Sequence, residues 1–168
     1  MFSKHTYPSN NRVIYTNVII LPSDASSCPG SYTYSLNGEI CYAFVKEAKT
    51  SAGAQSACIA LGGILAEPKT EEQNGFLERI LYEHPGTSVW LGATDLISEG
   101  SWYWATSNTP VSDGFTYWSP GQPSDGGVFH SQDCMVFDNA LRHWNDINCY
   151  NYKLSFICQK DATMDVVG

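Results

Sequence analysis

The chain has 168 residues, and its 17 acidic and 9 basic side chains give a formal net charge of −8. This length favours one domain with short extensions, and a hydrophobic fraction of 43% excludes global disorder. The acid excess argues against a nucleic acid or an anionic membrane as partner, because both attract basic surfaces.

Residues 1–27 precede the first cysteine and are treated as an N-terminal extension. Residues 1–12 are polar and lack the apolar core of a signal peptide, so we expect a secreted protein whose leader is absent from this chain. Residues 12–21 are rich in β-branched side chains and predict a strand. An unpaired apolar strand exposes backbone hydrogen-bonding groups and hydrophobic side chains. We therefore expect it to pair with its own domain or with a second chain in a homodimer.

A hairpin is predicted around Asn37 and Gly38, which separate two strand-like runs at 31–36 and 39–44. Cys28 and Cys41 lie on either side of this turn. Their placement predicts a local disulfide. The chain has six cysteines and no CxxC pair, so disulfides in an oxidising compartment are favoured over zinc binding or redox chemistry.

Two helices are predicted next. The first spans 50–61, where small residues are frequent, and it stops at a pair of glycines. Thr70 and Gln73 form a capping box that begins the second, and a Pro–Gly pair at 85–86 ends it. Beyond residue 88 the pattern indicates short strands and long loops. Residues 105–132 have almost no regular pattern, which is typical of a functional loop.

Oxygen donors are concentrated between residues 122 and 146. They comprise three amides, one hydroxyl and three carboxylates: Gln122, Gln132, Asn145, Ser124, Asp125, Asp133 and Asp146. Calcium takes oxygen ligands of these kinds, and no Cys or His pair has the spacing of a zinc site. Calcium is therefore the predicted ion.

From Cys28 to Cys158 the chain resembles a C-type lectin-like domain of the long form. The matching motifs, in chain order, are Val89-Trp90-Leu91-Gly92, Gln122-Pro123-Ser124 and Trp144-Asn145-Asp146, together with the cysteine spacing. The resemblance implies an α+β C-type lectin fold with two helices, antiparallel sheets and a long calcium-binding loop. It also implies three disulfides: Cys28–Cys41, Cys58–Cys158 and Cys134–Cys149. The domain is placed at 28–160, and 161–168 is a short tail.

The resemblance further implies a primary site in which two neighbouring sugar hydroxyls coordinate a calcium ion. Its ligands are taken to be Gln122, Ser124, Gln132, Asn145 and Asp146. Gln122 keeps the amide of the family's galactose-type Gln-Pro-Asp motif, whereas Ser124 replaces the aspartate. The expected ligands are terminal galactose or N-acetylgalactosamine in a glycan, with Phe129 and His130 covering the apolar face of the sugar. Trp144 is expected to pack in the core.

An auxiliary calcium site is implied by four acidic residues that match the family's pattern: Asp95, Glu99, Asp125 and Asp133. The alternative is that these are ordinary solvated loop acids. The primary site retains only one assured carboxylate, Asp146, so calcium binding is expected to be as weak as about 10⁻⁴–10⁻³ M.

The predicted function is a secreted galactose-type lectin, a binding module and not an enzyme. Serine-hydrolase, zinc-protease and phosphate-loop motifs are all missing from the sequence. Two groups of alternatives remain at this point. The domain binds a protein or a mineral, or it binds sugar without calcium or with mannose-type specificity.

Overall fold

The structure is a computed structural model that describes residues 28–124 and 131–162. Two helices are present in these residues, α1 at Ser51–Ala60 and α2 at Glu71–Tyr82. The strands of the described chain are β1 Tyr34–Leu36, β2 Ile40–Lys49, β3 Ile64–Leu65, β4 Val89–Thr94, β5 Tyr103–Trp104, β6 Thr109–Pro110, β7 Cys134–Asp138, β8 His143–Ile147 and β9 Leu154–Asp161. The α+β class predicted from the sequence is confirmed.

The predicted hairpin connects β1 and β2. Asn37 and Gly38 have positive φ values of 53° and 73°, as a type I′ turn requires. The turn is closed by the Glu39 N–H, which donates to the Leu36 carbonyl at 3.0 Å. The first strand is shorter than predicted, and the second extends to Lys49 because it also pairs with β9 along most of its length.

Both predicted helices form, and each begins after a threonine N-cap. The side chain of Thr50 accepts from the Gly53 N–H, and that of Thr70 accepts from the Gln73 N–H at 3.2 Å. The reciprocal half of the predicted capping box differs, since the Gln73 side chain accepts from the Lys69 N–H at 2.8 Å. The cap therefore closes one residue earlier than the motif predicts, and it also orders the chain entering α2.

The sheet is built around β9, the last strand. Its path runs β1-β2-β9-β4-β5-β6, β3 also pairs with β9, and β7 connects β4 to β8. All pairs between the described strands are antiparallel except β4 with β9, which are parallel, so the sheet is mixed and mostly antiparallel. Strand β9 ends at Asp161, one residue beyond the predicted end of the domain.

Three disulfides connect distant parts of this fold, with the pairing that the resemblance implied. Cys58–Cys158 joins α1 to β9, and Cys28–Cys41 joins the chain before β1 to β2. Cys134–Cys149 joins the start of β7 to the segment that follows β8. The third bridge therefore joins the chain just after Gln132 and Asp133 to the chain just after Asn145 and Asp146.

Gly92 in β4 is required by a close backbone contact. A Cβ atom at this position would lie 2.8 Å from the carbonyl oxygen of Leu65. The Gly92 N–H donates to the Ala66 carbonyl at 2.8 Å, and its own carbonyl accepts from the Ala105 N–H at 2.7 Å. The absence of a side chain thus lets β4 approach the segment after β3 and anchor the start of the long loop.

We expect Gly92→Ala to lower the free energy of unfolding by about 1–3 kcal/mol, since the added methyl forces backbone atoms apart. Urea unfolding followed by tryptophan fluorescence measures the change. Gly75→Ala in α2 is the matched control, because a Cβ there meets nothing within 4 Å. Equal stability of the Gly92→Ala variant and the wild-type chain would contradict this account of the contact.

The predicted strand at 12–21 lies outside the described residues, as does most of the predicted tail. Neither described helix is long and apolar enough to cross a membrane.

Candidate metal and sugar site

The long loop is fixed to β8 through Trp144. The Trp144 N–H donates to the Tyr117 carbonyl, and its carbonyl accepts from the Ser119 N–H, both at 2.8 Å. The indole is fully buried, and its Nε1–H donates to Asn74 Oδ1 of α2 at 2.9 Å. The core role predicted for Trp144 is confirmed, and this packing sets the position of the two residues that follow it.

The segment Gln122-Pro123-Ser124 lies next to those residues. The peptide bond between Gln122 and Pro123 is cis. The Gln122 N–H donates to the Ser119 carbonyl at 2.9 Å, and the Ser124 N–H donates to Asp146 Oδ2 at 2.8 Å. Two chain segments separated by more than twenty residues therefore meet at the Asp146 carboxylate.

Gln132 bridges the same two segments. Its Oε1 accepts from the Ser124 hydroxyl at 3.0 Å, and its Nε2 donates to the Asp146 carbonyl at 3.1 Å. The sequence predicted that Gln132 would complete a calcium shell. Its observed contacts instead hold Ser124 and β8 in place, and its role as a ligand stays a prediction.

Two amide oxygens in this site are suited to a cation. Gln122 Oε1 and Asn145 Oδ1 are buried, and neither has a hydrogen-bond partner among the described residues. Buried acceptors are normally paired, so two such unpaired carbonyl oxygens, on the segments that carry Ser124 and Asp146, suggest an external ligand. Carbonyl and carboxylate oxygens are the donors that calcium prefers. The residues present therefore fit calcium, and the Asp146 carboxylate supplies the single formal negative charge of this group.

The first residues of the predicted auxiliary site lie where β4 and β7 meet. The Asp133 carbonyl accepts from the Thr94 hydroxyl at 2.6 Å and from the Asp95 N–H at 3.4 Å. Asp95 is 3% exposed, and its Oδ2 accepts from the Gly100 N–H at 2.9 Å. The alternative interpretation, that these residues are ordinary solvated loop acids, therefore does not hold for Asp95.

Burial raises the pKa of Asp95, and repulsion from Asp133 and Asp146 raises it further. The hydrogen bond from Gly100 opposes this shift. Ionisation of Asp95 is therefore less favourable in the folded chain than for a carboxyl group in water. A nearby positive charge would favour it, as an auxiliary cation would.

The auxiliary site remains a prediction. Within residues 28–124 and 131–162, no three His, Cys, Asp or Glu side chains are grouped as a metal site. Asp125 lies outside the described residues, so the predicted set, which also includes Glu99, is not complete here. Phe129 and His130, predicted to cover the sugar, lie outside them as well.

Glu67 is a buried structural residue that the sequence did not single out. It is 1% exposed, and its Oε1 accepts from the backbone N–H groups of Thr106 and Ser107 at 2.9 and 3.2 Å. Its Oε2 pairs with Lys69 Nζ at 3.0 Å. The carboxylate thereby holds the turn after β5, near the start of the long loop. No local motif in the sequence marks a glutamate for such a contact between distant segments.

The three disulfides, the sheet and the cis-proline loop beside Asn145-Asp146 define a C-type lectin-like domain. In agreement, residues 47–160 match the family profile described as Lectin C-type domain. The chain is 31% identical over 138 residues to the galactose-specific lectin nattectin of Thalassophryne nattereri, covering 81% of this chain and 82% of that protein. The chain belongs to the C-type lectin domain family.

Solved structures are similar as well. The C-type carbohydrate-recognition domain of cow CD23, solved in the presence of a GlcNAc2Man3 oligosaccharide, has a TM-score of 0.70 and 29% identity and covers 82% of this chain and 98% of its own. A calcium-independent type II antifreeze protein has a TM-score of 0.68 and 28% identity and covers 81% and 95%. Membership of this lectin family confirms the prediction of a binding module and not an enzyme.

Proposed function

We propose that this chain is a calcium-dependent lectin for terminal galactose or N-acetylgalactosamine in glycans. The observation that carries the proposal is that Gln122 and Asn145, on the two segments joined by the Ser124–Asp146 hydrogen bond, each have a buried carbonyl oxygen without a partner among the described residues. Gln122, Asn145 and Asp146 would hold the ion. When bound, calcium supplies coordination positions for two neighbouring sugar hydroxyls.

The direction of one hydrogen bond supports galactose-type specificity. The Ser124 hydroxyl donates its proton to Gln132 Oε1 at 3.0 Å, so its remaining lone pairs are available only as acceptors. An ionised aspartate is likewise an acceptor. Gln122 Nε2 remains a donor for a sugar hydroxyl. The donor at 122 and the acceptor at 124 thus follow the order of the Gln-Pro-Asp motif, although serine replaces aspartate.

The affinity for calcium is expected to be low, because Asp146 contributes the only carboxylate among these proposed ligands. We expect Ser124→Asp to strengthen calcium binding on the order of tenfold, by adding an anionic oxygen next to the ion. Titration calorimetry with calcium measures the change. Ser124→Asn is the matched control, since asparagine has a similar size to aspartate but no charge. Equal calcium affinities of the Asp and Asn variants would contradict the proposal that residue 124 lies next to the ion.

Retention on a galactosyl matrix tests the proposed function directly. The full chain is applied with calcium, and elution is attempted with galactose, N-acetylgalactosamine, mannose or a chelator. We expect the first two sugars and the chelator to elute the protein and mannose to fail. Elution by mannose alone would reassign the specificity, and absence of retention would reject the galactose proposal.

A second candidate function is binding without calcium, of a sugar or of a protein or mineral surface. The similarity to a calcium-independent antifreeze protein favours it, together with the small number of carboxylates in the primary site. The two candidates differ in the chelator experiment. Retention that galactose reverses but a chelator does not would support a calcium-independent lectin.

We also propose that the protein acts outside the cell, since three disulfides are typical of oxidising compartments. The predicted homodimer depends on residues 12–21, which lie outside the described chain. Light scattering with and without residues 1–22 tests it. A monomer in both forms would remove the dimer from the proposal.

A further inference from the structure

A pocket of about 550 Å³ lies beside the proposed sugar site. We call it the long-loop pocket. Its lining includes two tryptophans, two hydroxyl residues, one carboxylate and the central proline of the cis segment: Trp102, Trp118, Ser112, Thr116, Asp113 and Pro123. This volume is within the range of small-molecule sites, and the lining combines aromatic surface with polar groups.

The depth of the side chains gives the pocket an apolar interior and a polar mouth. Trp102 is 7% exposed and packs edge-on against Trp118, with ring centroids 4.9 Å apart. Ser112, Asp113 and Thr116 are exposed, so their polar atoms are accessible at the opening. A sugar ring also combines C–H surface with hydroxyl groups, and this lining complements both features.

Trp102 provides a second, independent indication of a ligand. Its indole Nε1–H is buried and has no hydrogen-bond partner among the described residues. The neighbouring core indole of Trp144, by contrast, has its N–H paired with Asn74. A buried unpaired donor is costly, and a hydroxyl oxygen entering the long-loop pocket would satisfy it.

The charge of the lining limits the ligand. Asp113 is the one charged side chain among the described residues that line the pocket, and no Lys, Arg or His is among them. Sialylated and sulfated sugars carry a negative charge and would be repelled by Asp113 without a compensating cation. A neutral sugar has no such cost.

The long-loop pocket also adjoins the proposed primary site. Pro123 lines it and lies between Gln122 and Ser124, the two residues proposed to bind the terminal sugar. The wall formed by Trp118 is held in place, because the next residue, Ser119, donates its N–H to the Trp144 carbonyl at 2.8 Å. The two sites therefore share one short, anchored segment.

We propose that the long-loop pocket is a second subsite that binds the neutral sugar next to the terminal residue of a glycan. This inference rests on the proposed function, since the terminal galactose would be held by Gln122, Ser124 and the calcium ion bound at Gln122, Asn145 and Asp146. The indole N–H of Trp102 and the polar groups of Asp113 and Thr116 recognise the hydroxyls of this second sugar, the one next to the terminal galactose. The protein then prefers neutral oligosaccharides to the monosaccharide.

Calorimetry on the full chain in calcium buffer tests the subsite. The ligands are methyl β-galactoside and the neutral galactose-terminated tetrasaccharides lacto-N-tetraose and lacto-N-neotetraose. A form of each that is sialylated on the N-acetylglucosamine next to the terminal galactose leaves that galactose unmodified. We expect at least one neutral tetrasaccharide to bind about tenfold more tightly than methyl β-galactoside. Its sialylated form is expected to lose this advantage.

Two variants assign the effect to the pocket. Asp113→Ala/Thr116→Ala changes exposed side chains, and Trp102→Phe removes the N–H but keeps an aromatic ring. Both should reduce the tetrasaccharide affinity towards that of methyl β-galactoside and leave the monosaccharide affinity unchanged. Glu71→Ala, an exposed acid on α2, is the control and should change neither.

Tetrasaccharides that bind no more tightly than methyl β-galactoside would overturn the subsite and leave the primary site intact. An affinity ratio that both variants leave unchanged would also overturn it. A gain on sialylation would overturn the assignment to a neutral sugar. If methyl β-galactoside itself does not bind, the proposed function fails first, so the two failures are distinguishable.

Discussion

We expect Asp146→Asn to abolish retention on immobilised galactose in the presence of calcium. Asp146 is fully buried, and its Oδ2 accepts from the Ser124 N–H at 2.8 Å. The amide variant preserves the size of the side chain and can preserve this hydrogen bond, but it removes the only carboxylate of the proposed primary group. We expect calcium affinity to fall by at least about tenfold, and sugar binding to fall with it.

Titration of calcium and of methyl β-galactoside measures the two effects separately. Asp161→Asn, at an exposed position at the end of β9, is the matched control and should retain wild-type binding. Circular dichroism must show that the Asp146→Asn variant remains folded. A folded variant that still binds galactose in a calcium-dependent manner would reject Asp146 as a ligand.

The largest effect on stability is expected from removing the bridge between α1 and β9. We expect Cys58→Ala/Cys158→Ala to lower the free energy of unfolding by about 4–5 kcal/mol, because this disulfide joins residues 100 positions apart. In the chain-entropy account, a longer closed loop restricts the unfolded state more. Both cysteines are also fully buried, so the variant loses packing in the core.

Urea unfolding of the oxidised proteins measures this loss. Cys28→Ala/Cys41→Ala is the comparison, since its residues are only 13 positions apart and the expected loss is about 3 kcal/mol. The Cys28→Ala/Cys41→Ala variant keeps the disulfide between α1 and β9. A smaller loss for the 58–158 pair than for the 28–41 pair would contradict the expected order.

Local signals predicted much of the fold correctly. The hairpin could be predicted because Asn37 and Gly38 tolerate positive φ, and the start of α2 because Thr70 caps it. Such features depend on residues close together in the chain. The hairpin also predicted the Cys28–Cys41 disulfide, whereas the pairing of the other four cysteines needed the resemblance to a known family. The parallel contact of β4 with β9 joins segments more than sixty residues apart, and no local pattern marks it.

The site was predicted as a set of residues but not as an arrangement. Sequence and resemblance together named Gln122, Ser124, Gln132, Asn145 and Asp146. They did not distinguish Gln132, whose amide bonds to Ser124 and β8, from Gln122, whose carbonyl oxygen is buried and unpaired within the described residues. The difference arises from hydrogen bonds between separate segments, which become visible only when the loop and β8 are placed together.

Length, composition and six cysteines by themselves predicted one domain with disulfides and an acidic net charge, because these properties depend on residue content. Tertiary structure determined which polar side chains are buried and which hydrogen bonds they form. It buried Asp95 beside Asp133 and directed the Ser124 hydroxyl proton to Gln132 Oε1. It also formed the long-loop pocket. Burial and hydrogen-bond direction depend on which distant segments meet, and that is a property of the folded chain.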